Sequence, residues 1–175
     1  MEIISSNTNV WIDFDVAKCL TEPFMLADRY TYIMSRDALR DEILSPPEMS
    51  ARLIELGVVA VDISESEYLL ANNYGEKYVQ LSIYDRIALS IASTRKIKLL
   101  SGDKALRSAA VKEKVEVHGT IWLMDMLLET GKISECRYIE ILREMQRLNG
   151  DKIRLPEKEI EKRLFEHVRK VCEKQ

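Results

Sequence analysis

Short apolar runs rich in β-branched residues alternate with helical segments over the first 118 residues of the chain. The predicted strands are Glu2–Ser6 (EIISS), Tyr30–Met34 (YTYIM), Val58–Val61 (VVAV), Ile97–Leu100 (IKLL) and Val115–His118 (VEVH). Strands separated by helices pair in parallel, because each crossover returns the chain to the same edge of the sheet. The alternation therefore predicts an α/β fold with a mostly parallel central sheet and helices on both faces.

The segments between these strands have the features of helices. The predicted helices are Asn9–Leu20, Arg36–Leu44, Ser50–Leu56, Glu65–Asn72, Ser82–Arg95 and Lys104–Val111. Pro46 and Pro47 stop the second of them and Gly57 ends the third. Ser64 with Glu67 forms a predicted capping box, and Ser82 is a predicted N-cap.

Beyond His118 the pattern is helical throughout, with helices predicted at Ile121–Glu129, Ser134–Leu148 and Glu157–Cys172. We therefore divide the chain into an α/β domain at 1–130 and a C-terminal helical extension at 131–175. The last helix has an apolar stripe of Ile160, Leu164, Val168 and Val171. Such a stripe packs either on its own domain or on a partner, such as a second copy in a homodimer.

Composition excludes several classes of protein. Hydrophobic residues make up 46% of the 175 residues, which is enough for a buried core, yet no apolar run approaches the roughly 18 to 20 residues of a membrane span. The 26 lysines and arginines against 29 acids give a net charge of −3, so overall positive charge cannot drive nucleic-acid binding. The first ten residues lack a basic leader, and the three cysteines form no CxxC pair. We expect a cytoplasmic protein with reduced thiols and no membrane association.

The sequence lacks the residues that several familiar kinds of site require. The two histidines have no ligand or catalytic partner at helical spacing, which argues against a zinc site and a His-based triad. The six glycines form no phosphate-binding loop, so no nucleotide cofactor is expected.

Asp62 follows the VVAV strand as a phosphorylatable aspartate would in a receiver domain. That fold needs an acidic pair after its first strand and a lysine after its last, and here Asn7 and His118 occupy those places.

Polar residues do gather where the strands end. Asn7 and Asn9 follow the first strand, Ser101 and Asp103 follow the fourth, and Asp85 lies in the first turn of its helix. Active sites of open α/β sheets lie beyond the carboxyl ends of the strands. Carboxylates that converge there repel one another, and a hard divalent cation, Mg²⁺ or Mn²⁺, relieves that repulsion. Taken singly, Asp85 is typical of an N-terminal helix charge, Asp103 of a helix cap and Glu42 of a solvated helix residue.

Basic residues flank the last of these acids. The segment Arg95–Lys114 contains seven basic residues and two acids, Asp103 and Glu113. Two interpretations stay open: a solvated helix face with its loop, or a patch that attracts phosphate groups to an acidic site.

Three stretches in order resemble the PIN-domain family. Ile3–Phe14 (IISSNTNVWIDF) resembles the first strand of that family, with its D-T-N signature and an apolar helix start. Ser35–Ile43 (SRDALRDEI) matches a helix that contains a glutamate, and Tyr84–Leu106 resembles an Asp-headed, Ala-rich helix followed by a strand ending in T-G-D. The segment VHGTIWLMDMLLETGKI is similar to that of a prokaryotic PIN subfamily with a helical tail. The resemblance implies a three-layer PIN-like fold.

PIN domains are metal-dependent nucleases that act mainly on RNA, and many prokaryotic ones are toxins held by an antitoxin. The resemblance implies catalytic and metal-binding roles for Glu42, Asp85 and Asp103, with supporting roles for Asn9 and Ser101. It implies single-stranded RNA as substrate, steered by Lys98, Lys104 and Arg107. An antitoxin protein and a homodimer are the partners that it suggests.

The first metal-binding aspartate of the family is replaced by Asn7. An amide offers a neutral oxygen where a carboxylate offers a charged one, so Mg²⁺ or Mn²⁺ should bind more weakly. Asp13 lies more than one helical turn away and cannot substitute, so we expect it to face solvent or to cap a neighbour. Two functions stay open: a metal-dependent ribonuclease in which Asn7 is a neutral ligand, and an inactive PIN module that binds RNA or a protein.

Overall fold

The computed structural model describes residues 1–42 and 48–173, with the side chains of residues 170–173 left out. The chain forms two compact units. The first unit contains residues 1–10 and 27–118, and the second contains residues 11–26 and the chain from residue 119 on. The boundary predicted between residues 130 and 131 stays a prediction.

The first unit contains a five-stranded, all-parallel sheet in the order β3-β2-β1-β4-β5. Its strands are β1 (Glu2–Ser6), β2 (Tyr30–Ser35), β3 (Val59–Val61), β4 (Lys98–Leu100) and β5 (Val117–His118). β5 begins two residues later than predicted, because the backbone N–H of Val115 still donates to the Ala110 carbonyl of the preceding helix, at 2.8 Å. The α/β fold class, with its parallel sheet and helical C-terminal part, is confirmed.

Helices cover this sheet. They are α2 (Met49–Leu56), α3 (Glu65–Lys77), α4 (Ile83–Arg95) and α5 (Lys104–Lys112). The Ser5 hydroxyl on the central strand donates to the Ala88 carbonyl of α4 at 3.0 Å, and Ile33, its neighbour in register, packs with Ile87 and Ile91. α4 therefore lies across the middle of the sheet, and its first turn is fixed relative to β1.

Three predicted helices differ from the prediction, and one of them, α3, continues five residues beyond the expected Asn72 to Lys77. Helix α1 (Thr8–Val16) ends before the expected Leu20, since Lys18 adopts φ 56° and the Cys19 N–H turns back to the Phe14 carbonyl at 2.9 Å. Glycine is the usual residue at such a position, so the sequence gives no warning of the stop. The helix predicted at Arg36–Leu44 contains a π-helical turn at Ala38–Glu42, and its last two residues and both prolines lie outside the described residues.

The second unit is built around helices α6 (Thr120–Glu129), α7 (Glu135–Leu148) and α8 (Glu157–Glu173). α8 packs on α7: Ile160 is fully buried, while Leu164 and Val168 are half-buried. The fourth residue of the predicted stripe, Val171, has no described side chain. Within residues 1–42 and 48–173, no helix combines the length and apolarity required to cross a membrane.

Candidate active site

The candidate site lies at the carboxyl ends of β1 and β4, inside the first unit. β1 is the central strand, with β2 on one side and β4 on the other. The chain turns from β1 toward β2 and returns later to β4, so the strand order reverses at this point. Such a reversal opens a crevice between the two diverging connections, where α/β proteins bind their ligands.

Asn7 lies at the base of this crevice and is only 4% exposed. Its backbone N–H donates to the Leu100 carbonyl at 2.9 Å, which extends the β1–β4 pairing by one bond. Its side-chain Nδ2 donates to Asp85 Oδ1 at 2.8 Å, and its Oδ1 accepts from the Asn9 N–H at 3.2 Å. The amide therefore bridges two parts of the site that are 78 residues apart in the sequence.

Asp85 is held by both of its carboxylate oxygens. Oδ1 accepts from Asn7, and Oδ2 accepts from the backbone N–H of Ser82 at 3.0 Å. The Ser82 hydroxyl in turn accepts from the Asp85 N–H at 3.1 Å, which completes a capping box at the start of α4. The cap fixes the carboxylate at a helix N-terminus, where the helix dipole favours negative charge.

Glu42 faces the same crevice from the π-helical turn. The Thr8 hydroxyl donates to Glu42 Oε2 at 2.5 Å. Burial raises the pKa of Glu42 above its ordinary value, and the negative charge of Asp85 raises it further, against the lowering effect of the Thr8 hydrogen bond. Because Asn7 and Thr8 are consecutive, their hydrogen bonds to Asp85 and Glu42 bring the two carboxylates to the same end of β1, where like charges repel.

The loop after β4 is organised by Asn9. Asn9 Oδ1 accepts from the Gly102 N–H at 3.0 Å, and Asn9 Nδ2 donates to the Ser101 hydroxyl oxygen at 3.4 Å. The same Ser101 oxygen accepts from the Asp103 N–H at 3.1 Å. Asp103 Oδ1 accepts from the Leu106 N–H at 2.7 Å, so its carboxylate caps α5. The structure thus brings Asn9, Ser101 and Asp103 into one hydrogen-bonded loop.

The comparison with protein families agrees with this arrangement. A family model described as a PIN domain matches residues 3–168, which is nearly the whole chain. The chain belongs to the PIN-domain family. PIN domains are generally nucleases and generally use divalent metals. No curated protein matches the chain, and no solved structure matches it either.

The candidate site offers oxygen ligands of the kind that hard cations prefer, but few of them are charged, so a cation would bind weakly. Within residues 1–42 and 48–173, no three His, Cys, Asp or Glu side chains are grouped closely enough to hold a metal ion. Mg²⁺, however, is commonly bound through one or two carboxylates, with water completing its shell. The repelling carboxylates of Glu42 and Asp85 supply that pair, and Asn7 supplies an amide beside them. The residues present therefore fit a divalent cation held by fewer charges than the family's four acids.

The three basic residues predicted to steer RNA lie in different places. Arg107 Nη1 donates to the Ser101 carbonyl at 3.0 Å, and burial lowers its pKa. Lys104 is exposed in the first turn of α5, next to Asp103. Lys98 Nζ lies 2.5 Å from Glu2 Oε2, and both residues begin their strands, so Lys98 is at the end of the sheet away from the crevice.

Two contacts were not expected from the sequence. By its sequence position Thr8 is only a polar residue after β1, but its hydroxyl orients Glu42 across 34 residues of sequence. Its place in the polar run Ser6–Asn9 is the feature that could have indicated a role. Asp13 does not face solvent: it is 7% exposed, and its Oδ2 accepts from the Thr120 hydroxyl at 2.6 Å inside the second unit.

Proposed function

We propose that this PIN-domain protein is a divalent-metal-dependent ribonuclease with a weakened metal site. The observation that supports the proposal most directly is geometric: the consecutive residues Asn7 and Thr8 donate to Asp85 and Glu42, which brings both acids to the point where the strand order reverses. Two carboxylates in a half-buried crevice lower their free energy by sharing a cation.

In this proposal Glu42 and Asp85 hold Mg²⁺ or Mn²⁺, and Asn7 contributes a neutral oxygen or positions a water. The cation would supply an activated water and would stabilise negative charge on the phosphodiester. Thr8 keeps Glu42 oriented, and the capping box keeps Asp85 at the mouth of the crevice. Asn9 holds the loop that carries Asp103, which in this proposal is a third carboxylate ligand of the cation. Single-stranded RNA is the expected substrate, with Lys104 beside the site.

The proposal is tested by incubating the purified protein with a labelled single-stranded RNA in Mn²⁺, in Mg²⁺ and in EDTA. Cleavage should require the metal and fall by roughly 100-fold or more in Asp85→Asn and in Asp103→Asn. Asparagine caps a helix as well as aspartate, so Asp103→Asn should keep α5 and the fold intact. Asp151→Asn, at an exposed turn, is the matched control and should cleave as the wild type does. Cleavage that persists in both site variants would refute the assignment.

A non-catalytic PIN module that binds RNA or a protein partner is the second candidate. The hydrogen bond from Asn7 to Asp85 favours it, because the amide N–H satisfies the carboxylate oxygen that a cation would otherwise neutralise. The toxin role, the antitoxin partner and the homodimer stay predictions based on the family resemblance.

Asn7→Asp separates the two candidates. Restoring the acid removes the amide donor and places another carboxylate beside Asp85 and Glu42, so metal affinity and metal-dependent cleavage should both rise by at least about tenfold. Asn73→Asp, on the exposed surface of α3, makes the same charge change away from the site and should have no effect. If neither wild type nor Asn7→Asp cleaves RNA, while RNA or partner binding persists, the non-catalytic module is the better description.

A further inference from the structure

A groove of about 480 Å³ runs along α7 inside the second unit. We call it the α7 groove; its charged lining residues are Lys18, Arg137, Arg143, Arg147, Glu140 and Glu144. Four basic residues against two acids leave an excess of two positive charges. The whole chain has a net charge of −3, so this groove differs in sign from the protein that contains it.

The acids of the groove neutralise only two of its four cations. Arg137 is balanced, since its guanidinium lies 2.5 Å from Glu22 and 3.0 Å from Glu140. Glu144 is paired with Arg147 at 2.6 Å. Glu140 and Glu144 are therefore each paired with an arginine, and no ion pair joins either of them to Lys18 in the part of the chain that the structure describes.

Arg143 adds to the excess. It is exposed on α7, and no ion pair links it to any residue in the part of the chain that the structure describes. Arg143 and Arg147 are one helical turn apart, about 6 Å along the axis, so their guanidinium groups start from the same side of α7. Lys18 is exposed where α1 ends. Lys18 and Arg143 therefore extend into solvent without a neutralising partner.

We propose that the α7 groove binds the phosphodiester backbone of RNA. Phosphate contacts need cations and little else, and arginine presents a planar fork that matches a phosphate group. A protein partner would need apolar or aromatic surface at the centre of its contact; Ala17, Ile139 and Ile141, which line the groove, are buried, and among the described lining residues Cys136 is the one exposed side chain without a charge. Because RNA is taken as the ligand, the groove assignment rests on the proposed function.

The test measures binding without cleavage, with a fluorescent single-stranded RNA in EDTA, so that metal chemistry plays no part. The test variant is Lys18→Asn with Arg143→Gln, where asparagine suits the positive φ of position 18. The control is Lys158→Gln with Lys162→Gln, which removes the same charge from exposed positions of α8. Thermal unfolding of both variants checks that the fold is kept.

The groove variant should bind RNA roughly tenfold more weakly at low salt, while the control stays within about twofold of wild type. The slope of log K against log salt should shrink by about 0.7 for each phosphate that the variant no longer neutralises. The proposal would be overturned if the groove variant bound RNA as tightly as wild type, or if the control lost as much affinity as the groove variant. It would also be overturned if polyglutamate displaced the RNA and polyphosphate did not. If the wild type cleaves RNA with metal but the groove variant binds RNA as tightly as wild type, the groove proposal is wrong and the nuclease proposal stands. If binding depends on the groove but no cleavage occurs, the groove proposal stands and the nuclease proposal is wrong.

Discussion

At the scale of single residues, the presence of Asn7 in place of the signature aspartate determines which group contacts Asp85 in the candidate site. Asn7 donates to Asp85 from a buried position, so the carboxylate is satisfied without a cation. A hydrogen bond to a charged group contributes about 1.5 to 3 kcal/mol, and the half-buried carboxylate of Asp85 accepts one from the amide. The same N–H must be displaced before a metal can use this oxygen. We therefore expect Asn7 to stabilise the metal-free protein and to weaken metal binding.

Asp13 gives a residue-scale prediction about how the free energy of unfolding depends on pH. Burial raises its pKa to about 6, although the hydrogen bond from Thr120 opposes the shift. The unfolded value is about 3.9, so the folded state binds this proton more tightly. The stabilisation that results is complete below about pH 4 and is lost as the pH rises through 6. Asp13→Asn has no such proton, so between pH 4 and pH 7.5 its free energy of unfolding should improve relative to wild type by about 2 to 3 kcal/mol.

Urea unfolding at each pH measures this difference. Any constant effect of the asparagine side chain cancels, because only the change of the difference with pH is used. Asp151→Asn, at an exposed position, should give a curve parallel to that of wild type. Parallel curves for Asp13→Asn as well would show that Asp13 titrates normally.

At the scale of elements, caps place the functional groups. α3 and α4 each contain 13 residues and each begins with a complete capping box, Ser64 with Glu67 and Ser82 with Asp85. In α3 the acid of the box pairs with Arg95, whereas in α4 it accepts a hydrogen bond from Asn7 in the candidate site. The same local motif therefore stabilises one helix and, in the other, also orients a carboxylate that we propose as a metal ligand.

Replacing the two capping serines compares these roles. Ser64→Ala and Ser82→Ala should each lower the free energy of unfolding by about 1 kcal/mol, because each removes the acceptor for a first-turn N–H. Only Ser82→Ala should also lower metal-dependent cleavage, by roughly tenfold, since its frayed first turn contains Asp85. Chemical denaturation and cleavage assays on both variants check this. An equal loss of cleavage in the two variants would mean that stability alone explains it.

At the scale of the whole molecule, metal binding and folding are linked. A ligand that binds the folded chain alone stabilises it by mass action, by about 2.7 kcal/mol at 100 times its dissociation constant. The carboxylates of Glu42 and Asp85 come together only through the fold, since they are brought from separate connections to one crevice. Cations should therefore raise the unfolding temperature of this protein.

Thermal unfolding with increasing Mn²⁺ tests the linkage. The wild type should be stabilised only at high Mn²⁺, because Asn7 weakens the site. Asn7→Asp should be less stable than wild type in EDTA, by about 1 to 3 kcal/mol, since it loses the hydrogen bond and adds a repelling charge. It should regain this stability at much lower Mn²⁺. Identical Mn²⁺ curves for Asn7→Asp and the Asn73→Asp control would contradict a metal site at Asn7.

The sequence by itself determined much of the fold, because most of its features are local. Periodicity and β-branched runs predicted all five strands within two residues, and Ser64, Ser82 and Gly57 marked helix ends where the structure has them. These features depend on the backbone preferences of residues a few positions apart. The resemblance to PIN domains was confirmed by the family comparison, and the roles assigned to Glu42, Asp85 and Asp103 stay predictions.

Tertiary structure alone decided which groups meet. No local pattern shows that Asn7 donates to Asp85, that Thr8 holds Glu42, or that Asp13 is buried against a residue 107 positions away. Such contacts depend on the packing of whole elements, and a polar side chain has the same local preferences whether it is solvated or buried. The sequence showed that Asn7 stands where the PIN signature has a carboxylate; only the fold showed that the amide of Asn7 donates to Asp85.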